Sequence, residues 1–129
     1  MFPLNTDGVD PSGTNVHIRR LKITSFDDAV AVKPAHNTNK IAKCAEHILV
    51  ENCEVIYGVG MTIGSVPPSP SYSCIRDVTF RNINFEAPFK AIYVKTNPGH
   101  GSGEISNILY ENLKIRMPIW FGIYIGPQQ

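Results

Sequence analysis

Val78-Thr79-Phe80-Arg81-Asn82-Ile83-Asn84-Phe85 alternates apolar and polar residues, breaks step at Arg81-Asn82, and returns to apolar at Ile83 and Phe85. Alternation with a period of two marks a strand with one buried face. The break, occupied by a turn-forming asparagine, marks a corner between two short strands. The same pattern stands at residues 16–23, 48–55 and 108–115, so the four copies begin at 16, 48, 78 and 108, at intervals of 32, 30 and 30 residues. A fixed interval of this size is the mark of a repeat architecture in which one small unit stacks on the next.

A second series follows the first. Ala29-Val30-Ala31-Val32, Gly60-Met61-Thr62-Ile63, Ala91-Ile92-Tyr93-Val94 and Gly122-Ile123-Tyr124-Ile125 each open on a small residue, and positions 29, 60, 91 and 122 recur every 31 residues. Asn5-Thr6-Asp7-Gly8-Val9 fits the same register one turn earlier, with Gly8 in the small-residue place. No segment keeps a helical period. A Greek-key sandwich of short strands has no reason to hold an equal interval. A coiled chain does, because equivalent strands then stack as parallel neighbours about 4.8 Å apart. The predicted fold is all-β: a right-handed parallel β-helix of about four to five rungs, with Asn52, Asn82 and Asn112 stacked at one corner. A solenoid needs capping segments over its end rungs, and neither end of the sequence resembles one. Residues 1–129 are therefore expected to form a single uncapped β-helix segment of a longer domain.

Composition narrows the partners. The net charge is +1 and the hydrophobic share 43%, so no strong field of either sign is available to gather nucleic acid or an anionic membrane. No apolar run approaches the roughly 20 residues of a membrane-spanning helix. Met1-Phe2-Pro3-Leu4-Asn5 has neither a basic nor an apolar leader region. Three cysteines allow one disulfide and one thiol, or three thiols. Cys44 and Cys74, at the same offset from their strands, are expected on adjacent rungs within bonding reach. Cys53 shares an inward place with Leu21, Ile83 and Leu113 and is expected to be buried and unpaired.

The acids are the candidate chemistry. Asp7 and Asp28 each precede the small residue of successive rungs, which sets them side by side, and Asp27 adjoins Asp28 at the start of a strand. Crowded carboxyls raise the pKa of at least one, and a protonated acid facing an ionised one is the equipment for hydrolysing a glycosidic bond. Alternatively, Asp-Gly and Asp-Asp serve only as turn residues. Clustered aspartates also suit calcium, but the calcium-loop pattern is absent and no metal is expected. His17, His36, His47 and His100 have no ligand spacing and read as surface or turn residues.

Asn5-Thr6-Asp7-Gly8, followed about twenty residues later by Asp27-Asp28-Ala29-Val30-Ala31-Val32-Lys33, resembles glycoside hydrolase family 28, the family of polygalacturonases, rhamnogalacturonases and xylogalacturonan hydrolases. The resemblance runs over nearly the whole chain. It implies a pectin-lyase-like solenoid that is part of a catalytic domain and cleaves a pectin-type polysaccharide with inversion. Asp27 would be the general acid, and Asp7 and Asp28 would hold and activate the water, across a carboxyl separation that leaves room for it. Lys95 of Ala91-Ile92-Tyr93-Val94-Lys95-Thr96 matches the family lysine that binds the substrate carboxylate. The resemblance further implies no cofactor, a secreted enzyme, and a monomer at full length. Three positions depart: Val59 stands for the family histidine, Tyr93 for the arginine, and Phe121 for the tyrosine. Tyr93 is expected to offer a ring face to a sugar instead. Gly99-His100-Gly101 is out of register with the histidine motif. Two further readings are a catalytically degenerate, carbohydrate-binding β-helix and a β-helical adhesin; the second leaves the acids unexplained.

Overall fold

The computed structural model describes residues 3–35 and 43–128. Nine strands follow in order: β1 (Thr14–Arg19), β2 (Lys22–Ser25), β3 (Asp28–Val32), β4 (Ala45–Tyr57), β5 (Gly60–Val66), β6 (Ser73–Glu86), β7 (Lys90–Thr96), β8 (Gly103–Arg116) and β9 (Phe121–Pro127). No helix occurs among the described residues. One sheet has the order β1-β4-β6-β8, with β2 also paired to β4, and the other has the order β3-β5-β7-β9. Every ladder is parallel, and each turn of the chain contributes to both sheets, the first turn giving the first sheet two short strands, β1 and β2, where each later turn gives it one long one. This is the β-solenoid that the repeat interval requires.

The register matches the interval residue by residue. Val16 pairs with Ile48, Ile48 with Val78, and Val78 with Ile108. Inward positions therefore form continuous apolar columns, such as Val50–Phe80–Tyr110 and Val55–Phe85–Ile115. The middle members of these columns are almost completely buried. On the second sheet Val32, Ile63, Val94 and Ile125 form another such column. Its last member is 72% exposed, and Ile123 is 61% exposed, because no strand stacks on the far side of β9 among the described residues.

The corners explain the repeated polar residues. Asn52, Asn82 and Asn112 sit at φ 57°, 54° and 51°, in the left-handed region that asparagine tolerates better than most residues. Each side-chain amide donates to the carbonyl of the one before it, Asn82 to Asn52 at 3.1 Å and Asn112 to Asn82 at 2.6 Å. Arg20 holds the same left-handed place one rung earlier. A second left-handed column, Asn15, His47, Asp77 and Asn107, marks another bend, which accounts for His47 as a turn residue. Cys44 and Cys74 form a disulfide between adjacent rungs with a Cα separation of 4.5 Å, and Cys53 is a buried free thiol.

Candidate active site

The first rung sets the acids. Val9 bridges Val30 in parallel, and Gly8 N–H donates to the Asp28 carbonyl at 2.9 Å. Asp7 is thereby stacked beside Asp28, with Asp27 at the strand entrance. One oxygen from each of Asp7, Asp27 and Asp28 lies within 4.8 Å of the other two. They open on a cavity of about 480 Å³ shared with Asp10, Lys33 and Lys95.

The three carboxylates have different surroundings. Asp28 is fully buried. One of its oxygens accepts the Thr62 hydroxyl at 2.6 Å, and the other meets the Lys95 ammonium at 2.6 Å. Asp27 accepts two backbone N–H groups, from Asp28 at 2.8 Å and from Asn5 at 3.0 Å. Asp7 is partly exposed, with the Lys33 ammonium 4.0 Å away. Burial, together with the charges of Asp27, Asp10 and Asp28, raises its pKa to about 6.

A second cavity, of about 580 Å³, continues from Asp27 and Lys95 along Phe26, Val59, Phe89, Lys90, Tyr93 and Trp120. Val59, expected at the place of the family histidine, lines it. Tyr93 does not offer the open ring face expected of it. The residue is 2% exposed, with the Lys90 ammonium 4.0 Å and the Lys95 ammonium 4.9 Å from its ring centroid. Tyr124 meets it edge-on at 5.5 Å. The reason is the parallel register, which stacks Tyr124 directly on Tyr93, while the lysines of the same strand fold over the ring. Lys95, expected at a substrate carboxylate, is itself buried against Asp28. Phe121 stacks on Trp120 at 4.9 Å, and Tyr124 is the tyrosine that β9 brings to Lys90.

Glycines are needed where the backbone crowds. A Cβ on Gly60, at φ 97°, would stand 2.4 Å from the Ala91 carbonyl oxygen. One on Gly64 would stand 2.2 Å from the Lys95 carbonyl oxygen. Both hold β5 against β7 under the site.

The described histidines take no part in this arrangement. His100 lines a separate cavity of about 300 Å³ beside Pro67 and Pro68. His17 pairs with Glu51 at 2.9 Å and His47 stands 3.6 Å from Asp77. His36 lies outside the described residues. The aspartate oxygens are close enough to hold a cation, but Lys95 and Lys33 already bring positive charge to the same cluster. Thr62, Lys90, Asp10, Lys33 and Trp120 were not legible as site residues. Thr62 had a signal: it is the polar residue in register with Ala31 and Tyr93, within the apolar run Met61-Thr62-Ile63 of β5.

The chain matches the family described as "Glycosyl hydrolases family 28" over residues 3–128. It is 29% identical over 126 residues to a protein named probable exopolygalacturonase C from Neosartorya fischeri, covering 96% of this chain and 26% of that protein. It is 31% identical over 118 residues to a probable endo-xylogalacturonan hydrolase A of the same organism, covering 88% and 27%. A probable rhamnogalacturonase B from Aspergillus fumigatus is 34% identical over 106 residues, covering 82% of this chain and 18% of the relative. The chain thus spans about a quarter or less of the length of these relatives. No solved structure matches it. With the matched stretch running through every rung and through the aspartate cluster, this chain belongs to glycosyl hydrolase family 28.

Proposed function

We propose that this chain carries the acid–base site of a glycosidase that hydrolyses a pectin-type polysaccharide. The observation that carries the reading is the cluster of three carboxylates within 4.8 Å, each in a different environment. In this reading Asp27 protonates the leaving glycosidic oxygen, while Asp7 and Asp28 hold and activate a water. Asp7 suits the base role, because an ionised carboxylate with a pKa of about 6 takes a proton from water more readily than an ordinary one. Lys95 and Thr62 fix Asp28, so its charge and orientation are set before substrate arrives. The names of the relatives support a pectic substrate. The Cys44–Cys74 disulfide supports an oxidising, extracellular setting. The reading needs no cofactor, nucleic acid or membrane, and takes the whole protein as a secreted monomer.

The nearest oxygens of the three carboxyls come within 4.8 Å of one another, a compact cluster beside the carboxyl separation of roughly 6.5–9.5 Å that usually accompanies inversion. In this reading the water stands beside Asp7 and Asp28 rather than between two facing acids. The test is hydrolysis of pectic oligosaccharides by the whole protein, with product anomers followed by proton NMR. Inverted product is expected; retained product would replace the water mechanism by a covalent one. Asp27→Asn should lower kcat by about 10²–10⁴-fold, and a variant as active as its parent overturns the assignment of the acid. The second reading, a binding module without turnover, is favoured by Val59 and Tyr93 at the family histidine and arginine places. Glycan binding by a parent with no hydrolysis would select it.

A further inference from the structure

Lys90 opens β7, and the mechanism above makes no use of it. The residue is 4% exposed and lines the 580 Å³ cavity together with Asp27. Among the described residues no carboxylate or hydrogen-bond acceptor pairs with its ammonium. Its neighbours are three aromatic faces, Tyr93 at 4.0 Å, Tyr124 at 4.7 Å and Trp120 at 5.0 Å. Burying an ammonium is costly, and attraction to ring faces offsets only part of that cost. The other lysine in this cavity is not in the same position. Lys95 already has a carboxylate, that of Asp28 at 2.6 Å. The groove therefore holds one cation in direct contact with a carboxylate and one that touches none, Asp28 acting on it only from a distance.

We infer that Lys90 is the substrate-carboxylate anchor of this groove, binding a uronate carboxylate of the glycan beside the aspartate cluster, with Trp120 as the exposed ring face next to it. Lys95 is then a positioning residue for Asp28. The arrangement also accounts for the missing arginine. Tyr93 supplies no charge of its own, but its ring holds the ammonium that does. Burial and the nearby Lys95 charge lower the Lys90 pKa, so an incoming carboxylate relieves an unfavourable field rather than competing with an existing pair. Trp120 is 54% exposed, so beside Phe121 and the Lys90 ammonium part of its ring stays open to a sugar.

The inference rests on the pectic reading above, and the test separates the two. KM and kcat are measured on the whole protein with an acidic oligogalacturonide and with its fully methyl-esterified, neutral counterpart. The parent should prefer the acidic oligomer. Lys90→Gln should raise KM for the acidic oligomer about tenfold to a hundredfold, leave KM for the neutral one unchanged, and change kcat little. Lys90→Arg should restore most of the acidic preference. Equal losses on both oligomers would show that Lys90 only supports the ring cluster, and would overturn the inference. So would a parent that hydrolyses both oligomers without preference, a result that holds even if Lys90→Gln does not fold. A parent that hydrolyses neither oligomer overturns the pectic reading itself.

Discussion

The two sheets of the solenoid use one stacking rule for opposite ends. On the outer face of β1-β4-β6-β8 the register sets Arg19, Glu51, Arg81 and Glu111 in one column, so charges alternate in sign from rung to rung. Within the column Arg81 and Glu111 form an ion pair open to solvent, with Arg81 Nε 2.8 Å from Glu111. On the outer face of β3-β5-β7-β9 and the short rung before it, the same stacking crowds Asp7, Asp27 and Asp28, and it buries Asp28, Lys90 and Lys95. Charge in the first column is screened and easily satisfied. Charge in the second is desolvated and only partly paired, which is how carboxylates acquire unlike behaviour at one pH. Stacking in parallel register is thus neutral as a device; the residue types and their burial decide whether it yields a scaffold or a reactive surface.

The comparison can be broken most directly at Lys95. Lys95→Met leaves the Asp28 carboxylate buried without its cation and should cost about 3–5 kcal/mol in a urea melt. Adding Asp28→Asn should recover a large part of that loss. Arg81→Met on the other face should cost less than about 1 kcal/mol. Equal costs at the two positions would erase the distinction between the faces. A rise in KM alone for Lys95→Met, with stability unchanged, would return Lys95 to the substrate.

Asp7 sharpens the comparison through pH. Its folded-state pKa is raised from 3.8 to about 6, so the folded protein binds the proton more tightly than the unfolded chain does. Stability from this group is fully present below pH 3.8 and is lost as pH rises to about 6, by on the order of 2–3 kcal/mol. Melts of the whole protein across that window should show Asp7→Asn gaining on the parent as pH rises. A constant difference between the two would mean that Asp7 is not crowded in solution. The smallest effect is expected at the corner, where Asn82→Ala removes both amide bonds of the ladder and puts alanine at φ 54°. The expected loss is about 1–2 kcal/mol with activity unchanged. A loss of activity there would tie the scaffold face to the site.

Much of this molecule follows from intervals alone. Equal spacing of residues 16–23, 48–55, 78–85 and 108–115 dictated parallel ladders, because only a coil repeats at a constant chain length per turn. The same counting put Asn52, Asn82 and Asn112 in a column, Cys44 beside Cys74, and Asp7 beside Asp28, all of which the structure shows. Counting names neighbours within a column. It does not say how far a side chain leans across to the next column, nor which groups share a pocket. Lys95 reaches Asp28 across 67 residues of sequence and from a different strand position. The register shift between Asp28 and Val30 on β3 is equally invisible in the spacing. Lys90 precedes the recognisable motif and gave no signal, since its burial depends on rings contributed by β7, β9 and the turn before β9. The sequence by itself determined the coil, its register and the meeting of the three aspartates, because these depend only on residue spacing along a repeating backbone. The tertiary structure alone decided which carboxylate is locked, which is left with a raised pKa and which lysine touches no carboxylate, because those properties depend on desolvation and on contacts between columns.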